Sequence, residues 1–478
     1  MQTRQVDVAI IGAGTAGMGA YRAALAHTRS VVVVESGPYG TTCARVGCMP
    51  SKLLIAAAEA AHAAAHAGPF GIRVPSVTID GAAVMQRVRS ERDRFVGFVT
   101  DTVDQWPAEH RLRGRAHFVD EHTLQVDGAD GALQLEARRI VIAAGSHPQV
   151  PPAWRDAVGE RLIVSDDVFG WTTLPASVAV LGAGVIALEL AQALHRLGVR
   201  VRMYARGNRV GPLTDPVLQV RSRQTFDQVM PLTLNASDLQ LRREGDQVIV
   251  QSGADEQRFD WVLAAAGRRP NVDALQLHNT RLPLDAQGVP LFNRRSAQVG
   301  DSHVFIAGDA SDELALLHEA ADEGRIAGDN AGRFPDVRVR PRRAPLAVVF
   351  SDPQIMIAGQ SHAQLVAEGV DFETGEVSFT DQGRSRVMLK NQGALHVYAE
   401  RSSGRFLGAE MLGPAAEHIG HLLAWSVQRG DTVQQMLDSP FYHPVIEEGL
   451  RTALRNLQRA LRMGPPPIER CLDCGPGA

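Results

Sequence analysis

The chain has 478 residues, of which 45% are apolar and 21% charged, and its net charge is −4. That length calls for about three domains rather than one core, and the charge gives no sign of a nucleic-acid partner. No apolar run approaches the roughly 20 residues of a membrane-spanning helix, and four cysteines are too few for a disulfide scaffold. The expectation is a cytoplasmic protein in which paired cysteines do redox chemistry or bind metal.

The opening stretch, MQTRQVDVAIIGAGTAG, has glycines inside its apolar run and no cleavage signal, so no secretory leader is expected. Residues 6–11 read as a strand that ends in Gly12-Ala13-Gly14-Thr15-Ala16-Gly17; a helix follows, then the buried valine run 31–34, closed by Glu35. Gly12 permits the tight turn, Gly14 lets a pyrophosphate approach the backbone, and Gly17 lets helix pack on strand. The helix N-terminus stabilises the phosphate charge, and Glu35 can accept hydrogen bonds from a ribose.

Next come Cys43 and Cys48, four residues between them, then Met49-Pro50-Ser51-Lys52 and an alanine-rich helix. A metal would need two more ligands, and none stands nearby at the usual spacing. A thiol pair at a helix start favours thiolate chemistry instead. His62 and His66 on that helix, and His418 and His421 further on, read as surface or structural residues because no third ligand joins them.

The glycine pattern recurs in SVAVLGAGVIALELAQALHRLGVRVRMYARGNRVG, with Gly182, Gly184 and, in the third position, Ala187. The two loops are too far apart for a solenoid repeat, so two separate dinucleotide-binding domains are expected. Where the first copy has Glu35, the second has Ala205, followed by Arg206 and then Arg209. A guanidinium favours a 2′-phosphate, which points to NADP(H) over NAD(H).

Taken together, these motifs resemble the flavin-dependent pyridine nucleotide–disulfide oxidoreductases over residues 5–460, nearest in pattern to the dihydrolipoamide dehydrogenases. The family pattern C-x4-C-x-P-S-K stands here as Cys43, Cys48, Pro50, Ser51 and Lys52. The resemblance makes the first glycine loop the FAD site, with Asp309 in HVFIAGDA on the ribityl side of the flavin. Gly145 in RIVIAAG and Gly267 in WVLAAAG mark the strands that link the FAD and NAD(P) domains. Glu189 is expected to pair with Lys52. In FYHPVIEEG, His443-Pro444 with Glu448 matches the family's catalytic base and its partner, supplied by the second subunit of a homodimer; the spacing selects Glu448 over Glu447. The family's Gly-Gly-Thr-Cys reads Gly40-Thr41-Thr42-Cys43 here, and a usual threonine is Ala144. Cys48 is implied to face the flavin as the charge-transfer thiolate and Cys43 to be the interchange thiol.

The fold expected is α/β: an FAD domain from 1–149 and 271–340, an NAD(P) domain at 150–270 inserted into it, and an α+β dimerisation domain at 341–463. The function expected is electron exchange between a nicotinamide, FAD, the Cys43–Cys48 disulfide and a small dithiol, disulfide or lipoyl-protein substrate. A resident metal, nucleic acid and membrane are not expected. Leu450, Leu454, Leu457 and Leu461 form the apolar stripe of a closing helix, and a proline-tethered tail, 464–478, carries Cys471 and Cys474. Three readings stand for that pair: a redox relay, half of a zinc site completed across the dimer, or an ordinary end. The relay would suit an NADPH-dependent reductase of another disulfide or of mercuric ion, though His443 argues against the mercuric reading. A redox-sensing flavoprotein is the non-enzyme alternative.

Overall fold

A computed structural model describes residues 2–129 and 131–463. Cys471 and Cys474, with the relay, zinc and plain-end readings of the tail, lie outside the described residues. Strands Gln2–Ile11 and Val31–Glu35 pair in parallel, and helix Thr15–Ala24 makes the crossover between them. All four valines at 31–34 are buried, as a strand covered on both faces requires. On its other side Gln2–Ile11 pairs with Gly131–Ile142, which carries Val304–Ile306 in parallel beyond it. The sheet therefore draws on chain from both sides of residues 150–270. Arg111–Arg113 closes one edge, and antiparallel Thr123–Gly128 and Arg115–Phe118 extend the other. Helix Leu317–Arg333 lies so close to Thr15–Ala24 that a Cβ at Gly324 would stand 2.1 Å from the Ala16 carbonyl oxygen. Small residues permit that approach.

Among the described residues, the intervening segment builds its own parallel sheet in the order Leu232–Thr233, Arg200–Tyr204, Ser177–Leu181, Trp261–Ala264, Leu162–Val164. The chain leaves and re-enters the first sheet side by side, through an antiparallel ribbon of Ser146–Pro148 and Arg268–Pro270. A third sheet is antiparallel: Leu346–Val349, Gln354–Gly359, Phe406–Gly413, Ala394–Glu400, Phe372–Ser378. Helix Glu447–Leu461 packs on its last two strands and buries Leu450, Leu454, Leu457 and Leu461, each burial stabilising by roughly 1.5–3 kcal/mol.

A buried polar bridge ties the second sheet's domain to the third. Glu410, fully buried, accepts hydrogen bonds from the N–H groups of Thr214, Asp215 and His362 and from the Thr214 hydroxyl. Asp215 meets His396 Nδ1 at 2.8 Å and accepts the Tyr398 hydroxyl at 3.1 Å. Those bonds hold Asp215 ionised, with its pKa lowered to about 2 against the opposing effect of burial.

Candidate active site

Gly12 ends its strand at φ +108°, where a Cβ would stand 2.3 Å from the Ala143 carbonyl oxygen. Only glycine fits that turn. Gly14 has open space at its Cα and precedes helix Thr15–Ala24, so the helix N-terminus is free to face a phosphate. Glu35 accepts the N–H groups of Ala13 at 2.8 Å and Gly37 at 2.7 Å. A cleft of about 470 Å³ runs from the glycine loop and Glu35 past Gly145 to Thr41 and Thr42. Its glycine floor, carboxylate and helix end fit an elongated dinucleotide such as FAD. Asp309 accepts the Ser146 hydroxyl at 2.7 Å, and Ser146 is held in turn by Arg268 Nε at 2.8 Å.

The second loop repeats the geometry. Gly182 has φ +135°, and a Cβ there would meet the Ala265 carbonyl oxygen at 2.3 Å. Gly184 is open, Ala187 is fully buried in the position of the third glycine, and Gly267 lies just beyond Trp261–Ala264 at φ +124°. After Arg200–Tyr204, Ala205 is buried while Arg206 and Arg209 are exposed; Arg209 reaches the Leu213 carbonyl at 3.5 Å. The end of this strand thus offers positive charge where the first copy offers a carboxylate.

Cys43 lies in the short helix Thr42–Val46 and Cys48 in the first turn of Cys48–Ala65. Both are free thiols. The hydrogen bond from Cys43 and the nearby Lys52 charge bring the Cys48 thiol down to about 7, against the opposing effect of burial; the helix N-terminus acts in the same direction. The same bond, with burial, pushes Cys43 up. The pair is thus split into one readily ionised thiol and one thiol donor. Lys52 Nζ meets both oxygens of buried Glu189, at 2.7 and 2.9 Å.

Two further residues stand at this site, Phe350 and Thr41. Phe350 sets its ring 4.5 Å from Lys52 Nζ; an aromatic closing an apolar strand gave no signal of this. Thr41, in place of the family's glycine, holds φ +51°, and its hydroxyl accepts the Ala44 N–H at 3.2 Å.

Cys43 borders a second, largely apolar cavity of about 710 Å³, walled by Met18, Phe95, Phe98 and Leu317 and reached by Arg22 and Arg325. His443 Nδ1 contacts Glu448 Oε1 at 2.9 Å; the His443 side chain is 76% exposed and that of Glu448 only 5%. Glu448 also accepts the Val445 N–H and lies 3.4 Å from Arg451. Among the described residues, no hydrogen bond joins the His443–Glu448 pair to the cysteines of its own chain. The His62 and His66 rings lie 3.9 Å apart, tilted by 33°, and His421 Nδ1 contacts the Glu417 carbonyl. Among the described residues no cluster of three or more histidine, cysteine or acidic side chains could hold a metal, and no helix is long and apolar enough to cross a membrane.

The family model described as pyridine nucleotide-disulphide oxidoreductase matches residues 6–324, and that family's dimerisation domain matches 346–454. The chain is 29% identical over 459 residues to a dihydrolipoyl dehydrogenase of Bacillus subtilis, covering 94% of this chain and 98% of the relative. It is 30% identical to a mercuric reductase of Shigella flexneri, covering 96% and 82%. Among solved structures, LpdA from Mycobacterium tuberculosis superposes with a TM-score of 0.81 at 24% identity, covering 95% of this chain and all of LpdA.

Proposed function

The chain belongs to the pyridine nucleotide-disulphide oxidoreductase family, and from that premise we propose that it exchanges electrons between NADP(H) and a small apolar dithiol or disulfide of the lipoyl class. It is a flavoprotein disulfide oxidoreductase by family; the substrate and the nicotinamide are this proposal's own. The observation that carries it is the split pair: a low-pKa thiol at Cys48 beside Lys52, and Cys43 opening onto an apolar cavity. The apolar walls suit a lipoyl chain.

FAD, when bound in the first cleft, supplies the two-electron link between nicotinamide and the dithiol. The chain's own residues do the rest. In the oxidised enzyme a substrate thiolate attacks the Cys43 sulfur, forming a mixed disulfide and releasing Cys48 as a thiolate. The second substrate thiol then attacks the mixed disulfide, freeing the oxidised substrate and leaving Cys43 reduced. His443 of the partner subunit takes the protons, with Glu448 fixing its far nitrogen. Lys52 stabilises the Cys48 thiolate so formed. The homodimer is part of this proposal.

Dihydrolipoamide dehydrogenases typically prefer NAD and keep an acidic residue where this chain has Ala205-Arg206, which favours a second reading, an NADPH-driven reductase of another disulfide or of mercuric ion that passes electrons through Cys471 and Cys474. One panel decides between them: dihydrolipoamide, glutathione disulfide, thioredoxin and mercuric ion, each with NADPH/NADP and NADH/NAD. Turnover led by the lipoyl substrate is expected. Turnover led by a protein disulfide or mercuric ion, and lost in a Cys471→Ser/Cys474→Ser variant, would sink the first reading in favour of the second.

A further inference from the structure

Cys48 and Lys52 come from helix Cys48–Ala65, and Glu189 from helix Val185–Arg196. A third element also reaches them. The loop after strand Leu346–Val349 belongs to the C-terminal domain, and its Phe350 touches both members of the ion pair. The ring lies 4.5 Å from Lys52 Nζ, and the Phe350 N–H donates to Glu189 Oε1 at 3.0 Å.

The loop is itself gripped by Val185–Arg196. The Gln192 side chain donates to the Asp352 carbonyl at 2.8 Å and accepts the Asp352 N–H at 2.7 Å, and Arg196 Nη2 meets Asp352 Oδ2 at 2.9 Å. Glu189, Gln192 and Arg196 follow helical spacing along one face, so a single helix face holds the whole loop. Glu189 and Gln192 are both buried.

The arrangement answers a physical problem. Lys52 is a flexible cation, and its side chain is one-third exposed. Glu189 anchors it but also opposes the thiolate, because its charge raises the Cys48 pKa while that of Lys52 lowers it. An aromatic face attracts the ammonium without adding a negative charge. It can restrain the cation and leave its field for the sulfur.

We propose that Phe350 is a positioning residue of the redox centre: it holds the Lys52 ammonium where its charge serves Cys48, so the C-terminal domain sets cysteine reactivity within its own subunit. This rests on the reading of Cys43 and Cys48 as the redox pair. The titratable groups that act on Cys48 are Cys43, Lys52 and Glu189.

The test uses flavin-loaded protein carrying Cys43→Ser, so that one thiol titrates in the pair, with its hydroxyl still able to donate. Cys48 alkylation by iodoacetamide is followed across pH by peptide mass spectrometry. With Phe350 present, the midpoint is expected below that of an ordinary thiol. Phe350→Leu should raise it by about half a pH unit, roughly a threefold loss of thiolate below the midpoint. Phe350→Tyr should restore it. In a Lys52→Met background, Phe350→Leu should change nothing, since the ring acts through the ammonium. An unmoved midpoint in Phe350→Leu overturns the proposal, and so does a shift that persists without Lys52. Phe350→Met replaces the leucine variant if that protein fails to retain flavin. A parent protein whose Cys48 titrates like a free thiol would instead defeat the redox reading, and the proposal with it.

Discussion

Thr41 holds a backbone conformation that its own side chain opposes. A non-glycine residue at φ +51° costs on the order of 1–3 kcal/mol, and the hydroxyl recovers part of it by capping the helix that carries Cys43. Two substitutions separate these effects. Thr41→Ala keeps the strain and loses the cap, and should destabilise by about 1 kcal/mol. Thr41→Gly removes the strain, while losing the cap to glycine costs only a few tenths and the added chain entropy about 0.5–1 kcal/mol. A net gain of about 1 kcal/mol is expected, visible as a higher melting temperature. If both variants melt lower, the strain is not what limits this turn. At this scale the sequence showed Cys43, Cys48, Lys52 and Glu35 through close spacing. It could not show Phe350, which lies 298 positions from Lys52 in the chain and meets it only through space.

Two glycine loops do similar work on different strands, and what distinguishes them is the residue just past the second strand of each. Glu35 engages backbone N–H groups at the first, whereas the second ends in exposed Arg206. A charge-assisted contact is worth about 1.5–3 kcal/mol, so Arg206→Glu should reduce the kcat/KM preference for NADPH over NADH by about 10–100-fold. Steady-state kinetics with both nicotinamides measures it; an unchanged ratio would leave Arg206 a solvated turn residue. These loops were legible because turn, helix start and strand end are local in sequence. One face of helix Val185–Arg196 was legible only in part. Glu189 was expected to pair with Lys52 and does, whereas Gln192 and Arg196 read as the polar side of an amphipathic helix, and the packed loop at 350–352 gives them their partner.

On the scale of the whole molecule, the His443 side chain is exposed, and the proposed homodimer would bring it to the partner's cysteines. Mixing two inactive variants tests this. His443→Ala keeps its cysteines, and Cys43→Ser keeps its histidine, so each mixed dimer would hold one complete site. Subunits exchanged at random should recover about a quarter of wild-type turnover, because half the dimers are mixed and each has one of two sites. No recovery, with exchange confirmed by mass, would place His443 in its own subunit's chemistry. The elements with local signals could be read from the chain alone: the glycine turns, the buried valine strand, the dithiol at a helix start and the leucine stripe of the closing helix. Backbone sterics and residue spacing act over a few positions, so a linear reading reaches them. Which side chains face one another across domains follows from the packed fold: Phe350 against Lys52, and Glu410 beneath Thr214 and Asp215. Those pairings depend on how three separately built sheets dock, and no short stretch of chain records that docking.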